Sequence, residues 1–269
     1  MTLLEGAIIL IAGIAAGIIN VVAGAGTLIT FPVLLALGVP PITANVSNTV
    51  GLIPASVAGA YGYRRELAAH WRPVAAMAAF SAVGGIAGAL LLLVLPGDVF
   101  AGVVPFLLLL AALLSAIQPR VARYVWRKAA PAATTAPLPA PAGTLLTKTD
   151  TRPLTLGLTL GALATGVYGG YFGAAQGVVL LALLGILWST DMQRANGAKN
   201  VLAGVANLVS AVIFISSGTV DWRIALLIGI GSATGGWLGA RIGRRLSAPA
   251  LRTILVIVAV VAAVVLFLT

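Results

Sequence analysis

Apolar residues run through this chain in long unbroken blocks, not in the one-sided periodicity of a helix that lies against a soluble core. Seven blocks, at 3–22, 43–63, 74–95, 99–117, 195–216, 224–240 and 251–268, have lengths that fit the roughly 17–25 residues a helix needs to cross the hydrocarbon. Two shorter blocks, 27–37 and 178–187, are too short for a comfortable span. Each follows a glycine cluster, Gly24-Ala25-Gly26 in one case and Gly173-Ala174-Ala175-Gln176-Gly177 in the other. These two read as half-helices. The pattern predicts an all-α integral membrane protein, and the first block, which opens on Glu5 rather than a basic stretch, reads as a retained helix rather than a secretion signal.

The polar positions recur. Residues 43–89 and 194–240 are two copies of one element, offset by 151 positions (Ala44 to Ala195). Ala44-Asn45 returns as Ala195-Asn196, Trp71-Arg72 as Trp222-Arg223, Ser81-Ala82 as Ser232-Ala233, and Gly84-Gly85 with Gly88 as Gly235-Gly236 with Gly239. A duplicated membrane unit with polar residues at matching depths is the sequence sign of a secondary transporter whose substrate site lies between the repeats. The chain divides on this reading into a first repeat (1–117), a linker (118–152) and a second repeat (153–269).

Charge orients the copies. The linker mixes prolines with Arg120, Arg123, Arg127, Lys128, Lys148 and Arg152 against Asp150 alone, which reads as a disordered cytoplasmic segment. Arg64, Arg65 and Arg72, and later Arg241, Arg244 and Arg245, belong on the same side. Block 43–63 then runs inward and block 195–216 outward, so the repeats are inverted, with both chain ends outside. The five segments of the first half, an odd number, agree with this, and each half carries one broken or re-entrant short helix. The formal charge of +10 lies at segment ends and in one loop, which excludes a nucleic-acid surface. With no cysteine, disulfides, thiolate metal sites and cysteine nucleophiles are excluded together.

The apolar blocks hold almost no ionisable groups, since all six acids fall at segment ends or in loops. Proton relays and metal sites lack their usual carboxylates, and His70 sits in a basic loop as a solvated or interfacial side chain. No nucleophile–base pair, metal cluster or cofactor site is present, so an enzyme is not expected. Against this background stands Lys199, flanked by Asn196 and Asn200. A lysine at membrane depth costs at least ~2.5 kcal/mol, so it faces a cavity or a partner, unless it snorkels to the interface beside Arg194. Asn48 and Thr49 occupy the matching positions in the first copy. Asn45, Ser47, Asn48, Thr49, Gln176, Asn196, Lys199 and Asn200 are the candidate binding residues: mostly amide and hydroxyl donors, with no fixed negative charge, a set that suits an oxyanion. Gly24, Gly26 and Gly173 join them, because a helix beginning at a glycine cluster aims free N–H groups into the protein. Interhelical hydrogen bonding for the asparagines and close packing for the glycines are the structural alternatives.

At these residues the chain resembles the sulfite exporter TauE/SafE family of membrane permeases. The resemblance rests on Gly17 through Gly26 leading into Phe31-Pro32 and Leu37-Gly38-Val39-Pro40, then Ala44-Asn45 with Ser47-Asn48-Thr49 and the exit Tyr63-Arg64-Arg65. It continues through Gly166 to Gly177, Arg194-Ala195-Asn196 with Lys199-Asn200, Gly218-Thr219-Val220-Asp221-Trp222 and Gly235-Gly236-Trp237-Leu238-Gly239, covering nearly all of the chain except the linker. Ala25 and Ala174-Ala175 stand where family members often have an unbroken glycine run. The resemblance implies a two-repeat carrier of sulfite, sulfoacetate or related organosulfonates in the bacterial inner membrane. Its partners are then a small anionic sulfur substrate and the lipid bilayer, with no cofactor and no nucleic acid; oligomeric state is left open. A channel-like anion pathway and a non-transporting membrane scaffold are the alternatives.

Overall fold

The computed structural model describes residues 1–129, 151–189, 191–242, 256–257 and 259–264, with the side chains of 119, 121–129 and 242 outside that description. The described chain forms α1 (Leu3–Val22), α2 (Thr27–Ala36), α3 (Pro41–Gly51), α4 (Ile53–Gly62), α5 (Arg64–Leu67), α6 (Trp71–Val94), α7 (Gly97–Ala129), α8 (Leu156–Tyr171), α9 (Gln176–Leu187), α10 (Met192–Ser216) and α11 (Trp222–Ile242). Helical residues follow at 256–257 and 259–264. No named strand occurs among the described residues. Four helices, Leu3–Val22, Trp71–Val94, Gly97–Gln118 and Met192–Ser216, are long and apolar enough to cross a membrane. Large apolar side chains such as Val83, Phe106, Val212 and Leu226 point outward, as expected of a chain whose solvent is lipid. The protein is an all-α integral membrane protein.

Local chemistry sets the helix starts. Thr2 and Glu5 form a capping box at α1, with Thr2 Oγ1 accepting from Glu5 N at 3.2 Å and Glu5 Oε2 accepting from Thr2 N at 2.7 Å. Asp191 Oδ1 caps α10 by accepting from Gln193 N and Arg194 N, and Asp221 Oδ1 caps the start of α11 by accepting from Arg223 N and Ile224 N. Both acids are therefore spent on backbone donors.

Three elements depart from the sequence expectation. The block at 43–63 is split into α3 and α4 at Leu52, because Pro54 has no N–H to continue the ladder. Helix α7 runs on to Ala129, well into the stretch read as linker, while the far end of that stretch is tied down where Arg152 N donates to Trp188 O at 2.7 Å. Helix α8 was not among the apolar blocks, since its glycines and threonines dilute the hydrophobic signal, yet it supplies the fifth segment of the second half. Residues 130–150, with most of the proposed linker, lie outside the described residues, as do Arg244, Arg245 and most of the block at 251–268.

Small residues bring the long helices together backbone to backbone. Positions that a Cβ would occupy pair Gly13 with Ile228 and Gly231, Gly17 with Ser232 and Gly236, and Gly239 with Ile18, so α1 and α11 lie in contact and run parallel. The same register pairs Gly84 with Leu163 and Val167, and Gly88 with Val167 and Tyr171, so α6 runs parallel to α8. Helices α4 and α10 cross antiparallel, with Gly59 at Asn200, Gly204 at Ser56 and Gly197 at Tyr63. Among the hydrogen bonds that tie the copies crosswise, two form a matched pair. Ser81 Oγ donates to Leu202 O at 3.0 Å and Ser232 Oγ to Gly51 O at 2.6 Å; donor and acceptor positions are both related by the 151-residue offset.

A Cβ at Gly84 would meet Leu163 O, and one at Gly235 would meet Ile14 O, both rigid backbone atoms. Gly84→Ala and Gly235→Ala are each expected to lower the thermal midpoint of the detergent-purified protein, by about 1–3 kcal/mol of overpacking. Gly102→Ala, where nothing lies within 4 Å, is expected to leave it unchanged or raise it. An unaltered midpoint in Gly235→Ala would contradict the close α1–α11 contact.

Candidate functional site

Two helices end in the middle of the protein. At the end of α1 the chain turns through Gly24 at φ +76°, and Gly24 N donates to Ile19 O and Asn20 O, both at 3.0 Å. At the end of α8 it turns through Gly173 at φ +74°, and Gly173 N donates to Tyr168 O at 3.0 Å. Both values lie in the left-handed region that glycine tolerates without a Cβ penalty. Ala175 carries the same sign at φ +58° without that freedom, so the second turn is held against a local cost on the order of 1 kcal/mol. Each turn delivers the chain into a short helix, α2 starting after Gly26 and α9 at Gln176. The two turns touch: Gly177 N donates to Gly24 O at 3.1 Å, and a Cβ on either glycine would strike the other's Cα.

A helix that stops leaves its last carbonyls without intrahelical donors, and lipid supplies none. Here the opposite half supplies them. Lys199, 1% exposed, donates from Nζ to Asn20 O at 3.1 Å and to Val21 O at 2.9 Å, so its ammonium caps the negative end of α1. Asn196 Nδ2 and Asn200 Nδ2 reach the same Val21 oxygen, each at 3.4 Å. In the matching arrangement Asn45 Nδ2 donates to Tyr171 O, at the end of α8, at 2.9 Å. Lys199 thus neither snorkels nor pairs with a carboxylate; helix carbonyls hold it. An ammonium has three N–H donors, and among the described residues two of them find an acceptor.

The other sequence candidates are dispersed around this crossing. Asn48 accepts from Thr30 Oγ1 and donates to Thr27 Oγ1 at 3.1 Å, which ties α3 to the first turn of α2. Gln176 turns back to donate to Thr165 O at 3.1 Å on α8. Ser47 lies away from the crossing, its Oγ accepting from Asp221 N at 2.9 Å, and Thr49 Oγ1 donates to Asn45 O at 2.9 Å within its own helix. Gly24, Gly26 and Gly173 all stand at the breaks. The amide donors expected to face a ligand are therefore engaged with protein oxygens. Two acceptors are not: Asn45 Oδ1 and Asn196 Oδ1 are buried with no hydrogen-bond partner among the described residues.

Sequence reasoning missed Asn20, Thr27, Thr30 and Tyr168. Asn20 holds the break in place through its Nδ2, which donates to Ser56 Oγ at 3.3 Å, while Tyr168 Oη donates to Ala174 O across the second turn. A lone asparagine four residues before a glycine cluster, and threonines spaced i, i+3 on a half-helix, were the available signals. His70 packs edge-on against Trp188 with ring centroids 6.2 Å apart, away from the crossing.

The chain is similar to several proteins named as probable membrane transporter proteins. One from Sinorhizobium sp, designated ORF9, is 28% identical over 258 residues, covering 96% of this chain and 90% of its own length. One from Haemophilus influenzae is 25% identical, covering 87% of this chain and 84% of its own. YfcA of Escherichia coli K12 is 25% identical, covering 86% and 76%. No solved structure matches the chain significantly. Residues 9–266, spanning both breaks, the capping residues and both glycine-packed helix pairs, match the family described as Sulfite exporter TauE/SafE, and the chain belongs to that family.

Proposed function

We propose that this protein is a secondary transporter of a small sulfur-containing oxyanion, such as sulfite, sulfoacetate or a related organosulfonate, acting by alternating access in the bacterial inner membrane. The observation that carries this reading is the Lys199 ammonium, buried at the crossing of the two broken helices with carbonyl partners. Carbonyl dipoles offset only part of a buried unit charge, so an arriving anion gains from Lys199 while Lys199 gains from it. The N-terminus of α2 points from the same turn and adds positive backbone potential. The names of the relatives agree with transport.

Alternating access needs two halves that exchange roles. Elements matched by the repeat run in opposite directions, α4 against α10 directly, and α1 against α8 because α1 and α4 both run parallel to α11 while α8 and α10 both run parallel to α6. This supports inverted repeats; the basic segments then put the linker in the cytoplasm and both chain ends outside. The crosswise caps supply the moving contacts. Shifting α1 away from α10 parts Lys199 from Asn20 O and Val21 O, and an anion takes over the released ammonium. Binding and opening are thereby linked. Asp191 and Asp221, which cap helices, have no part in a proton relay on this reading, so pH acts through the protonation of the substrate.

Two measurements check these statements. Lys199→Gln keeps two N–H donors for the α1 carbonyls but removes the charge, and is expected to weaken anion binding by roughly 1.5–3 kcal/mol. A thermal-shift titration with sulfite, thiosulfate and sulfoacetate reads the loss, because a ligand that binds the folded form raises the midpoint by mass action. Equal shifts in wild type and Lys199→Gln would remove this lysine from the anion site. Topology is open to cysteine labelling, since the native chain has no cysteine to interfere. Gly97→Cys and Gly218→Cys are expected to react from the outer side and Ala133→Cys only from the cytoplasm. Opposite labelling of Gly97→Cys and Gly218→Cys would sink the inverted arrangement.

A further inference from the structure

The two helix ends are built alike but are capped unequally. Gly24 N to Ile19 O and Gly173 N to Tyr168 O are the same turn, offset by 149 positions. By that offset the carbonyls of Asn20 and Val21 correspond to those of Gly169 and Gly170, which are buried and lie in the last turn of α8. On α1 these carbonyls accept from the basic nitrogen of Lys199. On α8 no basic side chain among the described residues donates to them. The residue at the place of Lys199 is Asn48, which is neutral and committed to Thr27 and Thr30. The turn bonds from Phe172 and Gly173 both go to Tyr168 O and reach neither Gly169 nor Gly170.

A second observation points to the same spot. Asn45, 1% exposed, is anchored at the end of α8 by its Nδ2 on Tyr171 O, and its Oδ1 has no donor among the described residues. An unmet amide oxygen beside the negative end of a helix asks for a positive partner. The counterpart oxygen, Asn196 Oδ1, also lacks a donor, but there the ammonium is bound to Val21 O, the very oxygen that Asn196 Nδ2 reaches.

We propose that the end of α8 holds a free alkali-metal cation, bound by Asn45 Oδ1 and the carbonyls of Gly169 and Gly170, at the place where a tethered ammonium sits on α1. Neutral amide and peptide oxygens with no carboxylate suit a monovalent ion rather than a divalent one. Half-helix C-termini in broken-helix transporters are suited to this task because their carbonyls are free and their dipole end is negative. The bound cation makes the two halves electrically alike, one positive charge at each helix end, and an anion between them meets both. Cation and anion then raise each other's affinity.

The test uses purified full-length protein without any sulfur anion, so its outcome is independent of the substrate reading. Thermal midpoints are measured in sodium chloride, potassium chloride and choline chloride at equal ionic strength, choline being too bulky to enter. The expected result is a midpoint that climbs with one of the alkali ions and not with choline, by on the order of 5–10 °C at ~100 times the dissociation constant. Asn45→Ala is expected to lose this dependence and Asn45→Asp to keep it at lower salt. In Asn48→Lys, which places an ammonium where Lys199 stands in the other half, the midpoint is expected to ignore the cation. Identical midpoints in all three salts for the wild type would overturn the proposal, leaving a bound water as the partner of Asn45. Undiminished alkali dependence in a folded Asn45→Ala or Asn48→Lys protein would overturn it equally.

Discussion

Everything in this protein turns on how a helix is allowed to stop inside a membrane. Ending α1 and α8 inside the protein leaves buried peptide carbonyls without intrahelical donors, at a cost of several kcal/mol for each one left unmet. The donors come from the other half in both cases, from Lys199, Asn196 and Asn200 to α1 and from Asn45 to α8. Neither half could keep its break without the other. That dependence explains why the copies interlock crosswise, with α1 on α11 and α6 on α8, instead of packing as two separate bundles.

Glycine makes the interlock possible, because the capping groups must come within hydrogen-bond reach of a backbone. Gly84, Gly88, Gly235 and Gly239 let one helix rest on the peptide groups of the next, while Gly85 against Ala206 and Gly236 against Ala55 bring together the helices between which Ser81 donates to Leu202 O and Ser232 to Gly51 O. In lipid such contacts replace the hydrophobic effect as the source of helix association. The same serines and glycines recur at one spacing because one geometry is being built twice. Close backbone packing also leaves few side chains at the interface to repack, which favours movement of helix pairs as units.

Much of this was legible from the residues. The apolar blocks, the two short helices, the glycine breaks and the spacing of the copies are all written in local composition, and α2 and α9 begin within two residues of where the short blocks begin. Other features were hidden. Helix α8 lacks hydrophobic contrast, and its packing on α6 together with the turn at Gly173 reveals it as the partner of α1. The break at Leu52 follows from Pro54, a signal that was present but outweighed by the apolar run around it. The roles of Lys199 and the asparagines were the least legible, because a sequence shows which groups can donate and not which oxygens lie opposite them. The donors were counted as available for a ligand, whereas the fold spends nearly all of them on the carbonyls that its own breaks expose.

That expenditure shapes how transport can work. A site whose donors were all free would bind an anion in any conformation and have no reason to move. On the proposed reading the Lys199 side chain, which the α1 carbonyls hold here, is shared between that structural duty and a ligand, and opening follows when an anion takes it over. An anion is the better partner, since a full negative charge outweighs the roughly half-charge of a helix end. The two halves differ at one residue in this scheme, Lys199 against Asn48. On the proposed reading that difference makes the duplicated fold unequal: one helix end carries its cap on a tether within the chain, and the other takes its positive partner from outside it.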